Sequence, residues 1–105
     1  MTVRVVVADA SRMVRDILRT VLSKGGIDVV GDTASIAHLV ELCRIRSPHV
    51  AVAGILLDDQ PLESGLPQVL ATGTRVLVLS DGAAPEHLTA VLLAGASGYL
   101  VLADT

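Results

Sequence analysis

Aromatic side chains are almost missing from this sequence: there is no Trp, no Phe and a single Tyr, Tyr99. That disfavours recognition by stacking, as in readers of RNA or single-stranded DNA. Cysteine is nearly missing too. Cys43 stands alone, which excludes an internal disulfide and a zinc cluster and leaves it as a small buried hydrophobe. An excess of basic charge is lacking: 8 Lys and Arg face 11 Asp and Glu, a net charge of −3, so no overall field draws nucleic acid. No apolar run reaches membrane-spanning length, and Arg4, Asp9 and Arg12 interrupt any signal-like start. A soluble, cytoplasmic protein with no membrane contact is the expectation. Low-complexity segments and linkers are also lacking. What remains is a chain of 105 residues, 51% hydrophobic and almost wholly aliphatic, enough for one domain around one core.

The organising stretch is Val3-Arg4-Val5-Val6-Val7-Ala8-Asp9. A short, β-branched, continuously apolar run reads as a central strand of a parallel sheet, buried on both faces. Open α/β sheets place ligands beyond the carboxyl ends of their strands, and Asp9 sits at that address. A helix follows from about Ser11 to Lys24, with Ser11 as N-cap, Gly25-Gly26 as stop and an inward stripe of Val14, Ile17, Leu18, Val21 and Leu22. Arg12, Arg15 and Arg19 fall on its other side and read as a solvated face neutralised by Asp16.

Ile27 to Gly31 reads as a second strand whose Asp28 suits an edge, and Ser35 to Arg46 as a second helix with Ile36, Leu39, Val40 and Cys43 inward and Pro48 beyond its end. His38 and His49 lack partners at metal-ligand spacing and read as surface residues. Val50 to Ile55 is a third strand, and Leu56 to Ser64 a loop holding Asp58, Asp59 and Pro61. A short helix runs from near Gly65 to Thr72-Gly73, a fourth strand from Arg75 to Ser80, and Asp81-Gly82 turns the chain. A fourth helix starts near Pro85 with Leu88, Val91 and Leu92 inward and stops at Gly95; Gly98 to Leu102 is a fifth strand. Strict alternation of strand and helix predicts an α/β fold, a doubly wound parallel sheet with helices on both faces, in a single domain spanning residues 1–105.

These residues resemble the receiver domain of bacterial response regulators. The resemblance rests on Val3–Asp9, on Ser11-Arg12 opening the first helix, on Ile27–Gly31, on Pro48, on Arg75–Ser80 and most specifically on Ala94-Gly95-Ala96-Ser97-Gly98-Tyr99-Leu100, which is similar to receivers of the NarL/FixJ type. It implies a flavodoxin-like, CheY-like sheet of five strands in the order 2-1-3-4-5. The family transfers a phosphoryl group to an Asp at the end of the third strand. Two acidic residues hold Mg²⁺ after the first strand. A hydroxyl after the fourth strand and a Lys after the fifth neutralise the transferred group.

Carried over by position, the first acidic residue is Asp9 and the second falls on Ala10. The phosphoryl acceptor falls on Gly54, the hydroxyl on Ser80, the aromatic switch on Tyr99 and the Lys on Leu102. Acceptor, second metal ligand and Lys are therefore missing, and the resemblance implies a degenerate phosphorylation pocket. Asp9 is left as a weak metal candidate, no cofactor is expected, and Ser80 and Tyr99 remain as a switch pair. Asp58 or Asp59 could replace the acceptor or be solvated loop carboxylates.

The expected function is a phosphorylation-independent receiver. It would serve as a regulatory or dimerisation module of a signal-transduction or transcription regulator and would not itself be an enzyme. Its partner would be a protein or a second copy, and DNA would be reached only through a C-terminal domain. The alternatives are the receiver half of a chemotaxis-methylesterase-like enzyme, whose Gly-x-Ser-x-Gly elbow these residues lack, and a ligand-sensing pseudo-receiver. The family's fifth helix does not follow the fifth strand, so the chain is expected to be a C-terminally truncated piece. One parity of strands four (Val76 and Val78, or Leu77 and Leu79) and five (Tyr99 and Val101, or Leu100 and Leu102) would then face water.

Overall fold

Five parallel strands carry the fold. The computed structural model describes residues 2–80 and 85–101, without the side chains of Pro85 and His87. The chain runs β1 (Arg4–Ala8), α1 (Arg12–Lys24), β2 (Asp28–Thr33), α2 (Ile36–Arg46), β3 (Val50–Gly54), β4 (Leu56–Leu57), β5 (Gln60–Pro61), a 3₁₀ turn (Leu62–Ser64), α3 (Leu66–Ala71), β6 (Arg75–Ser80), α4 (Pro85–Leu93) and β7 (Gly98–Val101). The main sheet has the order β2-β1-β3-β6-β7, all parallel, which is the expected 2-1-3-4-5 arrangement.

Side-chain parity divides the core in two. Val5, Val7, Val52 and Leu79 point to the face covered by α1, where Val14, Leu18 and Leu22 pack on them. Val6, Ala8, Ala51, Ala53, Val76 and Val78 point to the other face, under α2, α3 and α4, where Leu39, Cys43, Leu66, Val69 and Val91 close the larger core. Small Ala residues on β1 and β3 let those helices approach. The helix ends follow local chemistry: Ser11 Oγ accepts from the Val14 amide at 3.3 Å and Ser35 Oγ from the His38 amide at 3.2 Å. Burial pushes the Cys43 thiol up from its ordinary value, against a smaller opposing hydrogen bond with Thr74.

Several sequence expectations need correction. In α1 the inward ridge is Val14, Leu18 and Leu22 alone; Ile17 and Val21 are 54% and 60% exposed. They lie one ridge to the side, so periodicity counted them inward although among the described residues they do not join the packed cluster. Leu92 of α4 is likewise exposed, a residue's rotation away from fully buried Val91. Leu56 to Ser64 is a β-hairpin followed by a 3₁₀ turn, with Leu57 and Leu62 driven into the core. Asp58 and Asp59 form its tip with φ of 48° and 62°, the pair of positive values that a type I′ turn requires. β2 extends to Thr33, with a register irregularity opposite Val5/Val6. His49 is half-buried, and its Nδ1 accepts from the Arg4 amide at 2.9 Å. Leu79 is buried by α1-side packing, so in β6 only Leu77 of the α1-side parity is left part-exposed, whereas β7 is exposed on both faces. Asp81-Gly82 and Leu102 lie outside the described residues.

Candidate functional site

Strand register brings three of the sequence-predicted residues to one place. Ala8 pairs with Ala53 and Gly54 with Leu79, so Asp9, Gly54 and Ser80 stand side by side at the carboxyl ends of β1, β3 and β6. Tyr99 pairs with Val78 and Val101 with Ser80, which puts Tyr99 and Ser80 on the same face of adjacent strands, one diagonal step apart.

Asp9 is half-buried and tightly specified. Its Oδ1 accepts from the Ser11 amide at 2.8 Å, the local closure typical of an Asx turn. Its own amide donates to the Thr33 carbonyl at 3.0 Å. The other carboxylate oxygen lies over Gly54: a Cβ at position 54 would stand 2.6 Å from Asp9 Oδ2 and 3.3 Å from its Cγ. Real side chains do not approach so closely. The absence of a side chain at 54 is what lets the Asp9 carboxylate rest where it does.

Sequence reasoning missed the second half of this site. Arg15, read as solvent-facing, is largely buried, and its Nη1 donates to the Asp9 carbonyl at 2.7 Å. Its Nε lies 3.3 Å from Asp32 Oδ1 without hydrogen-bond alignment, and Arg19 Nη1 donates to Asp32 Oδ2 at 3.0 Å. Among the described residues Asp16 pairs only with Arg12, at 3.8 Å and exposed. Asp32, on the strand beside β1, out-competes Asp16 because a partly buried carboxylate is less screened. The β1–α1 turn is thus clamped to β2. Removing the Arg15 head by Arg15→Met should cost about 1.5–3 kcal/mol, the range for hydrogen bonds to charged groups. Arg19→Met, at a more exposed pair, should cost about 1 kcal/mol or less. Urea unfolding of the two variants checks the order.

The residues present do not suit Mg²⁺. Asp9 is the sole carboxylate of the expected pair, exposed Ala10 offers no side-chain oxygen and Gly54 none. Among the described residues no group of three or more His, Cys, Asp or Glu could hold a metal ion. Asp58 and Asp59 are exposed at the hairpin tip. No helix among the described residues is long and apolar enough to cross a membrane.

Against solved structures, the chain aligns with the signal receiver domain of the response regulator NarL from Mycobacterium tuberculosis at 30% identity, covering 95% of this chain and 83% of that one, with a TM-score of 0.86. The chain belongs to the response regulator receiver domains. At the level of fold this receiver is also similar to the response regulator domain of Thermotoga maritima CheB (24% identity, 96% of this chain and 78% of that one, TM-score 0.82). A LuxR-family two-component response regulator from Aurantimonas sp. SI85-9A1 is similar too (22% identity, 96% and 74%, TM-score 0.86). No protein-family model matches the sequence, and no curated protein matches it.

Proposed function

We propose that this receiver works without phosphorylation, as a regulatory and protein-interaction module of a bacterial signal-transduction or transcription regulator of the NarL/LuxR type. The observation that carries the reading is the packing of the Asp9 carboxylate over Gly54. A phosphoryl acceptor needs a nucleophilic oxygen at the end of β3 and room around it for an incoming group. Here the strand ends in hydrogen, and a neighbouring carboxylate takes the space. Ala10 at the position of the family's second acidic ligand is consistent with this, because a metal serves no purpose without an acceptor to charge. The domain would act by contact rather than catalysis, in the cytoplasm, with a partner protein shifting the Ser80 and Tyr99 region. DNA would be met through a further domain.

Incubation with acetyl phosphate and Mg²⁺ followed by intact mass measurement tests the reading. The expected result is an unchanged mass. A gain of one phosphoryl group, mapped to Asp9, Asp58 or Asp59, would sink it.

A further inference from the structure

We propose that the amino ends of the strands form a docking surface for a segment of a partner protein in which carboxylates alternate with aliphatic side chains. The surface lies at the opposite end of the sheet from Asp9, Gly54 and Ser80, roughly 16 Å away along β1 at ~3.3 Å per residue. It goes beyond the reading above and does not depend on whether the domain is phosphorylated.

Charge is segregated along the strand axis. α1 and α2 run back against the strands, so their last turns bring Lys24, Arg44 and Arg46 to the amino end. There they join Arg4 and Arg75, the first residues of β1 and β6. Backbone bonds hold these strand starts side by side: the His49 amide donates to the Arg4 carbonyl at 2.9 Å, and the Arg75 amide to the His49 carbonyl at 3.1 Å. Arg4 Nη1 donates to the Arg46 carbonyl at 2.6 Å, which fixes its head beside the end of α2. Among the described carboxylates only Asp28 and Glu41 stand near; Asp9, Asp32, Asp58, Asp59, Glu63 and Glu86 lie toward the other end. The chain carries −3 overall, yet this end is positive.

Cations in the last turn of a helix complement its carbonyls, which accounts for Lys24, Arg44 and Arg46. It does not account for Arg75, exposed at the start of a strand. Among the described residues Lys24, Arg46 and Arg75 pair with no carboxylate. Glu41 holds Arg44 only at the surface, where such a pair is weak and readily exchanged.

The occupant follows from what else stands there. Ile45, between Arg44 and Arg46, is 59% exposed, and Val3, just before Arg4, is 42% exposed. Apolar side chains among arginines suit a peptide with aliphatic residues between its carboxylates, whereas a phosphate backbone offers them nothing. Arginine outnumbers lysine here, and its planar fork grips a carboxylate through two parallel bonds. A nucleic acid would extend past so small a patch, and the rest of the chain, more negative than the net charge, repels it. Tyr99, the single aromatic, lies opposite Val78 in mid-sheet and gives bases nothing to stack on at this end.

A ~12-residue fluorescein-labelled peptide of Glu-Glu-Leu repeats is titrated with the whole chain at low salt, where surface charge is least screened. The expected result is saturable binding with a Kd below about 1 mM. Amide shifts of the ¹⁵N-labelled chain should gather at Arg4, Arg44–Arg46 and Arg75. Arg46→Glu combined with Arg75→Glu should weaken binding at least ~10-fold and Ile45→Ser at least ~3-fold, while Arg12→Glu, toward the other end, should leave it within about twofold. A peptide that does not bind, or shifts centred on Asp9 and Ser80, would overturn the proposal. So would equal or tighter binding, at the same salt, of a short duplex DNA or of phosphatidylserine vesicles, which would mark a surface for polyanions in general. Should the double variant fold poorly, the shift map of the wild-type chain decides alone.

Discussion

Replacing Leu57 with alanine should destabilise this receiver by about 2–5 kcal/mol, the range for a fully buried leucine. Leu57 is wholly removed from solvent and sits in the same cluster as Leu39, Leu62 and Leu66. The hairpin that bears it has only two residues in each strand, too few to hold together by itself. It is held by what its side chains bury: the Leu62 amide donates to the Ile55 carbonyl at 2.7 Å, closing the excursion, and Leu57 anchors the near strand. Against a total stability of about 5–15 kcal/mol the loss is large. Its neighbour Leu56 points outward, and Leu56→Ala should change stability by about 0.5 kcal/mol or less. Equilibrium urea unfolding separates the two. A Leu57 variant within about 1 kcal/mol of wild type would mean that the segment does not pack on the core.

The second large effect is expected at the strand end itself. Gly54→Asp places a Cβ on Asp9 Oδ2, so the Asp9 carboxylate must shift from its place beside the Ser11 amide. Two carboxylates then share one small space. Overpacking alone should cost about 1–3 kcal/mol, and like-charge repulsion adds to it. Gly54→Ala isolates the steric part. The pair Ala10→Asp with Gly54→Asp would rebuild an oxygen-rich site, and adding Leu102→Lys completes the family's set. Millimolar Mg²⁺ should then stabilise the restored protein: a ligand at a hundred times its Kd contributes about 2.7 kcal/mol, and each kcal/mol moves Tm by roughly 4–8 °C in a domain near this size. Neither wild type nor Gly54→Ala should respond. A restored variant whose Tm ignores Mg²⁺ would show that these positions are not the ones that hold metal.

Strand positions were legible because they depend on local period, whereas the sheet order followed from the resemblance to receiver domains. Val5 to Ala8 and Val50 to Ala53 are continuous apolar runs, and only strands covered on both faces read that way. The juxtaposition of Asp9, Gly54 and Ser80 was legible through that resemblance, which made the strands they end neighbours. Other features depend on what a residue meets across the fold. Ile17 and Val21 obey the helical period as well as Leu18 does, and periodicity does not say how far the sheet extends beneath a helix. Arg15 gave no signal because Asp32 lies seventeen positions away on another strand and the Asp9 carbonyl belongs to the backbone. The Asp58-Asp59 turn lacks the Gly that marks most type I′ turns. That Gly54 makes room for a carboxylate is a fact of three dimensions, which its place as the missing acceptor did not show.

The reading of a phosphorylation-independent receiver is tested most directly with beryllofluoride, an acyl-phosphate mimic. Amide spectra of the ¹⁵N-labelled chain are recorded with and without Mg²⁺ and beryllofluoride. The account predicts that the signals of Asp9, Gly54, Ser80 and Tyr99 stay where they are. Saturable shifts of Ser80 and Tyr99 that require both components would mean that an acceptor and a metal site exist, and would contradict it.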